Sequence, residues 1–376
     1  MRLRPLLALL APLVLSAPAP MARQGHFAKL VERLSEGEGY FPSDNLVTNE
    51  NSYLHVLGGL EAMGVRGGAY LGVGPEQSFS YIATIHPEVA ILIDIRRDNM
   101  LLHLLLKAMF ASAHNRLEYL CLLYGRAPPE ELYLWTEADL GAILDYIDRA
   151  PADTAVQRDN HRRLMEAVTA FGVPLSDQDR ATARRFHDEF AAAGLDIRYS
   201  TRSRRLRLDF PSNRMIYLEV DREGRQGSYL ATEDRWRSVR DLQLKDRVIP
   251  VVGDLAGPSA VRKIGDYLRE IGLTVSALYV SNVEQYLFRG GVFPLFVDNV
   301  RNLPTGPHSV LIRSWFSRRG SSDPWPTLPS HVPGYRSTQL LQTFARFHAL
   351  TRQPELVDYW TLVTDVTPHR AVVPPR

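Results

Sequence analysis

Between Gly68 and Met100 the chain places residue types that could hold a nucleoside. An apolar segment, Ala69 to Val73, breaks into Gly72-Val73-Gly74-Pro75-Glu76-Gln77, and a second, Val89 to Ile95, ends on Asp94 with Arg96, Arg97 and Asp98 after it. Glycines at the end of a strand let backbone approach a ligand closely, and an acid near the end of the next, 22 residues after Gly72, can accept both hydroxyls of a ribose. Later, Val248 to Val252 runs into Gly253-Asp254, and Val275 to Val280 into Ser281-Asn282. Tyr279, Ser281, Asn282 and Glu284 are the side chains there that could touch a reacting group. Ser281-Asn282 equally suits a helix cap before Val283, because either side chain can satisfy free backbone amides.

Four strands ending in such residues need a parallel sheet to align them. The apolar runs just named alternate with helical patterns, which predicts an α/β fold with a doubly wound, mostly parallel sheet. Gly25 to Ser35 reads as a short amphipathic helix ended by Glu36-Gly37-Glu38-Gly39. Tyr40 to Ser52 reads as a polar loop in which Asn49 or Asn51 caps a helix over Tyr53 to Met63, the alternative being ligand contact. Asn99 to Ala113 is apolar almost all round and should be a buried helix, with His103 and Lys107 as a hydrogen-bonded core feature or facing a ligand cleft. Residues 128–245 read as an insertion between the second and third strands. It carries helices over Glu137 to Asp148, Asp159 to Phe171 and Ser176 to Ala193, the last opened by a capping box, Ser176 to Asp179. A β-hairpin, Ile197 to Phe210 and Arg214 to Asp221, completes it. The first half of the α/β domain is thus 23–127 and the second half, with the tail, 246–376. There Val310 to Ile312 reads as a strand and Gln339 to Leu350 as a helix.

Composition narrows the function classes. With 45% hydrophobic and 23% charged residues over 376 positions, the chain can build a sizeable globular core. Its net charge of +2 supplies no field for nucleic acid. Arg198, Arg202, Arg204, Arg205 and Arg207 have Asp196, Asp209, Glu219 and Asp221 nearby and read as a solvated face. The single cysteine, Cys121, rules out an internal disulfide and reads as a small buried hydrophobe. The eleven histidines show no metal-site spacing. Residues 1–22 have the parts of a secretory signal: Arg2 and Arg4, an apolar run from Leu6 to Leu15 too short to span a bilayer, then Ser16, Ala17 and Ala19. This implies a periplasmic or secreted protein with no membrane span in the mature chain; a start at Met21 implies a cytoplasmic one.

Taken together, the four strand ends resemble a class I S-adenosylmethionine-dependent methyltransferase, and the pattern also looks like a family of uncharacterised bacterial proteins with a related glycine loop. The resemblance covers about Tyr53 to Ala113 and Arg237 to Ile312. It implies S-adenosylmethionine as cofactor. Gly72 and Gly74, with Glu76 in the same loop, would lie under its amino acid part, Asp94 at the ribose and Asp254 at the adenine. Ser281, Asn282 and Glu284 would lie at the reacting end. Where that family usually has an acid before the first glycine and a third glycine after the second, this chain has Tyr70 and Glu76. The function implied is a methyltransferase of unspecified acceptor. The alternative is an exported, catalytically degenerate relative that binds a nucleoside, another small ligand or a protein. A hydrolase using Ser281, His331 and Asp254 lacks the glycines of a nucleophile turn, and a dinucleotide-binding dehydrogenase has Gln77 where its third glycine belongs.

Overall fold

A computed structural model of the chain describes residues 20–43, 45–200, 210–316 and 328–366. The expected leader lies outside them except for residues 20–22, which open the first helix, α1 (Pro20–Leu34). A short 3-10 turn, Tyr53–Val56, and α2 (Leu57–Ala62) lead into β1 (Ala69–Gly72), followed by α3 (Ser78–Ile85) and β2 (Val89–Asp94). Among the described residues, seven α-helices precede the next strand: α4 (Arg97–Ser112), α5 (Arg116–Leu123), α6 (Leu140–Arg149), α7 (Thr154–Ala170), α8 (Asp177–Ala193), α9 (Asn213–Leu218) and α10 (Glu233–Leu244). The alternation resumes with β3 (Val248–Val252), α11 (Ala260–Glu270), β4 (Val275–Ser281), α12 (Val283–Arg289) and α13 (Phe293–Arg301). The described chain closes with β5 (Thr305–Phe316), β6 (Ser337–Thr343), α14 (Phe344–Leu350) and α15 (Tyr359–Thr364).

The fold is α/β, with one six-stranded sheet in the order β3-β2-β1-β4-β5-β6. The first five strands run parallel and β6 is antiparallel to β5. From β1 the chain builds outward to β3, then returns to place β4 on the other side of β1. Such a reversal leaves a crevice at the carboxyl ends of the two central strands. Pro250 in the middle of β3 fits because β3 is an edge strand and its missing N–H breaks no inner ladder. Helix α4, buried along nearly its whole length as expected, lies against β2 and β3 and packs in turn against α7 and α8. Cys121 is buried in the core, where burial pushes its thiol up to about 12. No helix among the described residues is long and apolar enough to cross a membrane.

Three expectations are corrected. The return arm of the hairpin is helix α9: Ser212 caps it, and Asn213 and Tyr217, one turn apart on one face, reach the same buried partner. Of the outgoing arm, residues 201–209 lie outside the described residues, among them Arg202, Arg204, Arg205 and Arg207. The segment expected to be helical from Gln339 begins as β6 and turns helical only at Phe344. Neither Asn49 nor Asn51 caps a helix among the described residues; the Asn51 side chain instead accepts from the Arg336 N–H and the Ser337 hydroxyl beside β6. The capping box at Ser176 and Asp179 forms as expected.

Candidate functional site

The carboxyl ends of β1 to β4 surround a cavity of about 330 Å³, within the range of small-molecule sites. Gly74 follows β1 at φ +83°, a left-handed conformation that costs other residues but not glycine. A Cβ there would also stand 3.3 Å from Gln77 Nε2. The loop is buttressed from below by His103, whose Nε2 lies 2.9 Å from the Gly74 carbonyl. A carbonyl only accepts, so Nε2 carries the proton. Burial drives the His103 pKa down to about 4, against the opposing pull of the Gly74 bond and Asp94, and the ring is neutral at physiological pH. Of the two readings of His103, the hydrogen-bonded core feature is the one seen.

Asp94 reaches the cavity wall, but its carboxylate is already engaged. Oδ1 accepts from the Arg96 N–H at 2.9 Å and from Nε at 3.2 Å, and Oδ2 from Nη2 at 3.3 Å. One bond on Oδ2 leaves that oxygen able to accept another donor. Asp254 also lines the cavity, with Oδ1 accepting from the Ala256 N–H at 2.9 Å. At the end of β4, Ser281 is held at φ +53°, a strained conformation for a residue with a side chain. Its hydroxyl bonds Glu50, and Asn282 lines the cavity without making a capping bond to α12 among the described residues. The cap reading of this pair is therefore not realised.

Glu50 was invisible as a site residue in the sequence. It is fully buried in the cavity wall and accepts from four side chains: Ser281, Tyr279 at 2.6 Å, Ser314 at 2.6 Å and Gln339 at 2.6 Å. Tyr279 gives its proton to Glu50, so toward Gln77 it can only accept, and Gln77 Nε2 meets it at 3.1 Å. This network joins the loop after β1 to β4, β5 and β6. The mouth is aromatic, with Phe41 edge-on to Tyr286 at 5.2 Å.

Three expected site residues are elsewhere. Gly72 lies beneath the loop, where a Cβ would collide with the Tyr70 ring two positions earlier; this is why the chain combines that tyrosine with that glycine. Glu76 turns away from the cavity into a buried cage. It accepts from Tyr217 and Tyr229 at 2.7 Å and from Asn213 at 3.1 Å, and burial raises its pKa against the pull of these bonds. Its charge therefore does not face a ligand. Glu284 is sealed into a two-pronged ion pair with Arg313 at 2.7 and 3.1 Å. Ser281, His331 and Asp254 do not form a triad: the Ser281 hydroxyl bonds Glu50, whereas His331 pairs with Thr338 and does not line the cavity.

No curated protein matches this chain. A family model does, and the matched residues contain every cavity-lining position from Thr48 onward but none of Tyr40, Phe41 and Asn45. Matched over residues 46–149 and 176–363, the chain belongs to the family described as Domain of unknown function (DUF7790).

Proposed function

We propose that this cavity binds S-adenosylmethionine and that the protein is a methyltransferase-like member of the doubly wound α/β class. The observation that carries the reading is that Gly74, Asp94, Asp254 and Ser281-Asn282, each from the end of a different parallel strand, line one cavity. Charge supports it as well. The described lining holds three carboxylates, Glu50, Asp94 and Asp254, against one guanidinium, Arg96, which is already paired with Asp94. Such a wall attracts a sulfonium cation and repels the phosphates of a dinucleotide. The lining suits the cofactor: Asp94 Oδ2 can accept a ribose hydroxyl, Asp254 would stand beside the base, and Ile93, Ile95 and Leu255 supply apolar wall.

When bound, the cofactor supplies an electrophilic methyl group for a nucleophile held in line with it. In this chain the Glu50 network fixes Ser281 and Tyr279, and Asn282 is left to orient the acceptor. A second reading, binding without transfer, is favoured by the engagement of Glu50 with four donors and of Glu284 with Arg313. Calorimetric titration with S-adenosylmethionine, S-adenosylhomocysteine and adenosine tests the proposal. Micromolar binding of the first two supports the cofactor site, and methyl release to added acceptors then separates enzyme from binder. Absence of binding to all three would reject the cofactor site.

A further inference from the structure

Glu36 precedes the family-matched residues, and nothing in the sequence marks it as part of the site. Its carboxylate nevertheless organises the loop between β3 and α11. Oε1 accepts the Asp254 N–H at 2.9 Å. Oε2 accepts the N–H groups of Ser259 and Ala260, each at 2.8 Å, and the Ser259 hydroxyl at 2.9 Å. Ser259, at the cap position of α11, makes no side-chain capping bond to its own helix, so Glu36 meets the free amides that commonly bind an external anion. Gly257 sits within this loop, where any Cβ would collide with Glu36 Oε1. Acid and loop are built around one another.

The backbone around Glu36 is fixed too. Its own N–H donates to the Val252 carbonyl at 2.9 Å, the Val252 N–H donates to Ser35 Oγ at 3.1 Å, and Lys263 Nζ donates to the Ser35 carbonyl at 2.6 Å. The segment after α1 thereby seals the outer edge of β3 next to the cavity-lining Gly253, Asp254 and Leu255. Burial alone would raise the Glu36 pKa, but the amides of Asp254, Ala260 and Ser259 outweigh it and keep the group ionised at neutral pH.

We infer that Glu36 is a positioning residue of the candidate site, a built-in anion that sets Asp254 and Leu255 at the cavity wall. The inference rests on the proposed cofactor reading only for its effect on binding. Two measurements on Glu36→Ala test it. The first is amide hydrogen exchange, in which the amides of Asp254, Ser259 and Ala260 are expected to exchange at least about tenfold faster, and to recover in sodium formate but not in sodium chloride. The second is affinity for S-adenosylhomocysteine against its inosine analogue. The variant is expected to bind the adenine compound about tenfold more weakly and to lose discrimination between the bases, with formate restoring both. If Glu36→Ala does not fold, Glu36→Gln, which keeps one accepting oxygen, is expected to expose either Asp254 or the Ser259 and Ala260 pair. Unchanged exchange at all three amides, or unchanged base discrimination in a folded variant, would overturn the inference. A wild-type protein that binds neither compound would sink the cofactor reading, and exchange alone would then decide the role of Glu36.

Discussion

His103 makes the glycine loop acid-sensitive, and the size of the effect follows from its setting. The ring is buried, Nε2 donates to Gly74, and Nδ1 has no hydrogen-bond partner among the described residues. A second proton would place charge and an unmatched N–H in the core. The folded pKa is depressed to about 4, whereas an unfolded histidine titrates near 6.5. A depressed folded value means that the contribution is full above the unfolded pKa and is lost as pH falls toward the folded one. Between pH 7.5 and pH 4.5 the two titrations differ by about 2.5 kcal/mol. His55 and His161 are also pushed down to about 4 by burial and add to the total acid loss. His103→Gln isolates the term, since its amide can still donate to Gly74 and does not titrate. Urea unfolding of both proteins at the two pH values is the assay. The variant is expected to lose about 2.5 kcal/mol less than wild type on acidification. Equal losses would refute the assignment of a neutral, loop-supporting His103.

Asp94→Ala is expected to weaken S-adenosylhomocysteine binding by about 1 to 3 kcal/mol, and unchanged affinity in a folded variant would remove Asp94 from the site. Gly74→Ala forces a side chain into a left-handed conformation and against Gln77, so thermal or urea unfolding should show a cost of about 1 to 3 kcal/mol; a neutral effect would contradict the loop geometry. Glu284→Ala strands the buried Arg313 guanidinium and is expected to cost about 3 to 5 kcal/mol in denaturant. Its folded fraction should bind ligand with wild-type affinity, and a specific binding loss would return Glu284 to the site.

The strand ends were legible because each is a short apolar run punctuated by glycine, an acid or, after the fourth, Ser281-Asn282, and burial on both faces of a parallel sheet leaves such apolar runs. Polar residues that serve as buried partners erased it elsewhere. In β6, Gln339 and Gln342 are buried to meet Glu50 and Arg313, so the segment loses its apolar pattern and reads as helix. Glu76 looked like part of a ligand loop because spacing gives position but not direction, and only the packing of α9 shows it turned into the tyrosine cage. Glu50 lay in a cluster of polar residues that suggested a loop; its role depends on donors from strands more than 200 residues away, as the separations of 229 and 289 to Tyr279 and Gln339 show. Pro250 within the apolar run Val248–Val252 is itself the mark of an edge strand.

The most direct test of the central claim is a crystal structure of the protein grown with saturating S-adenosylhomocysteine. The expected result is ligand density in the cavity between Gly74, Asp94, Asp254 and Ser281, with a ribose hydroxyl on Asp94. Density elsewhere, or an empty cavity at saturating ligand, would contradict it.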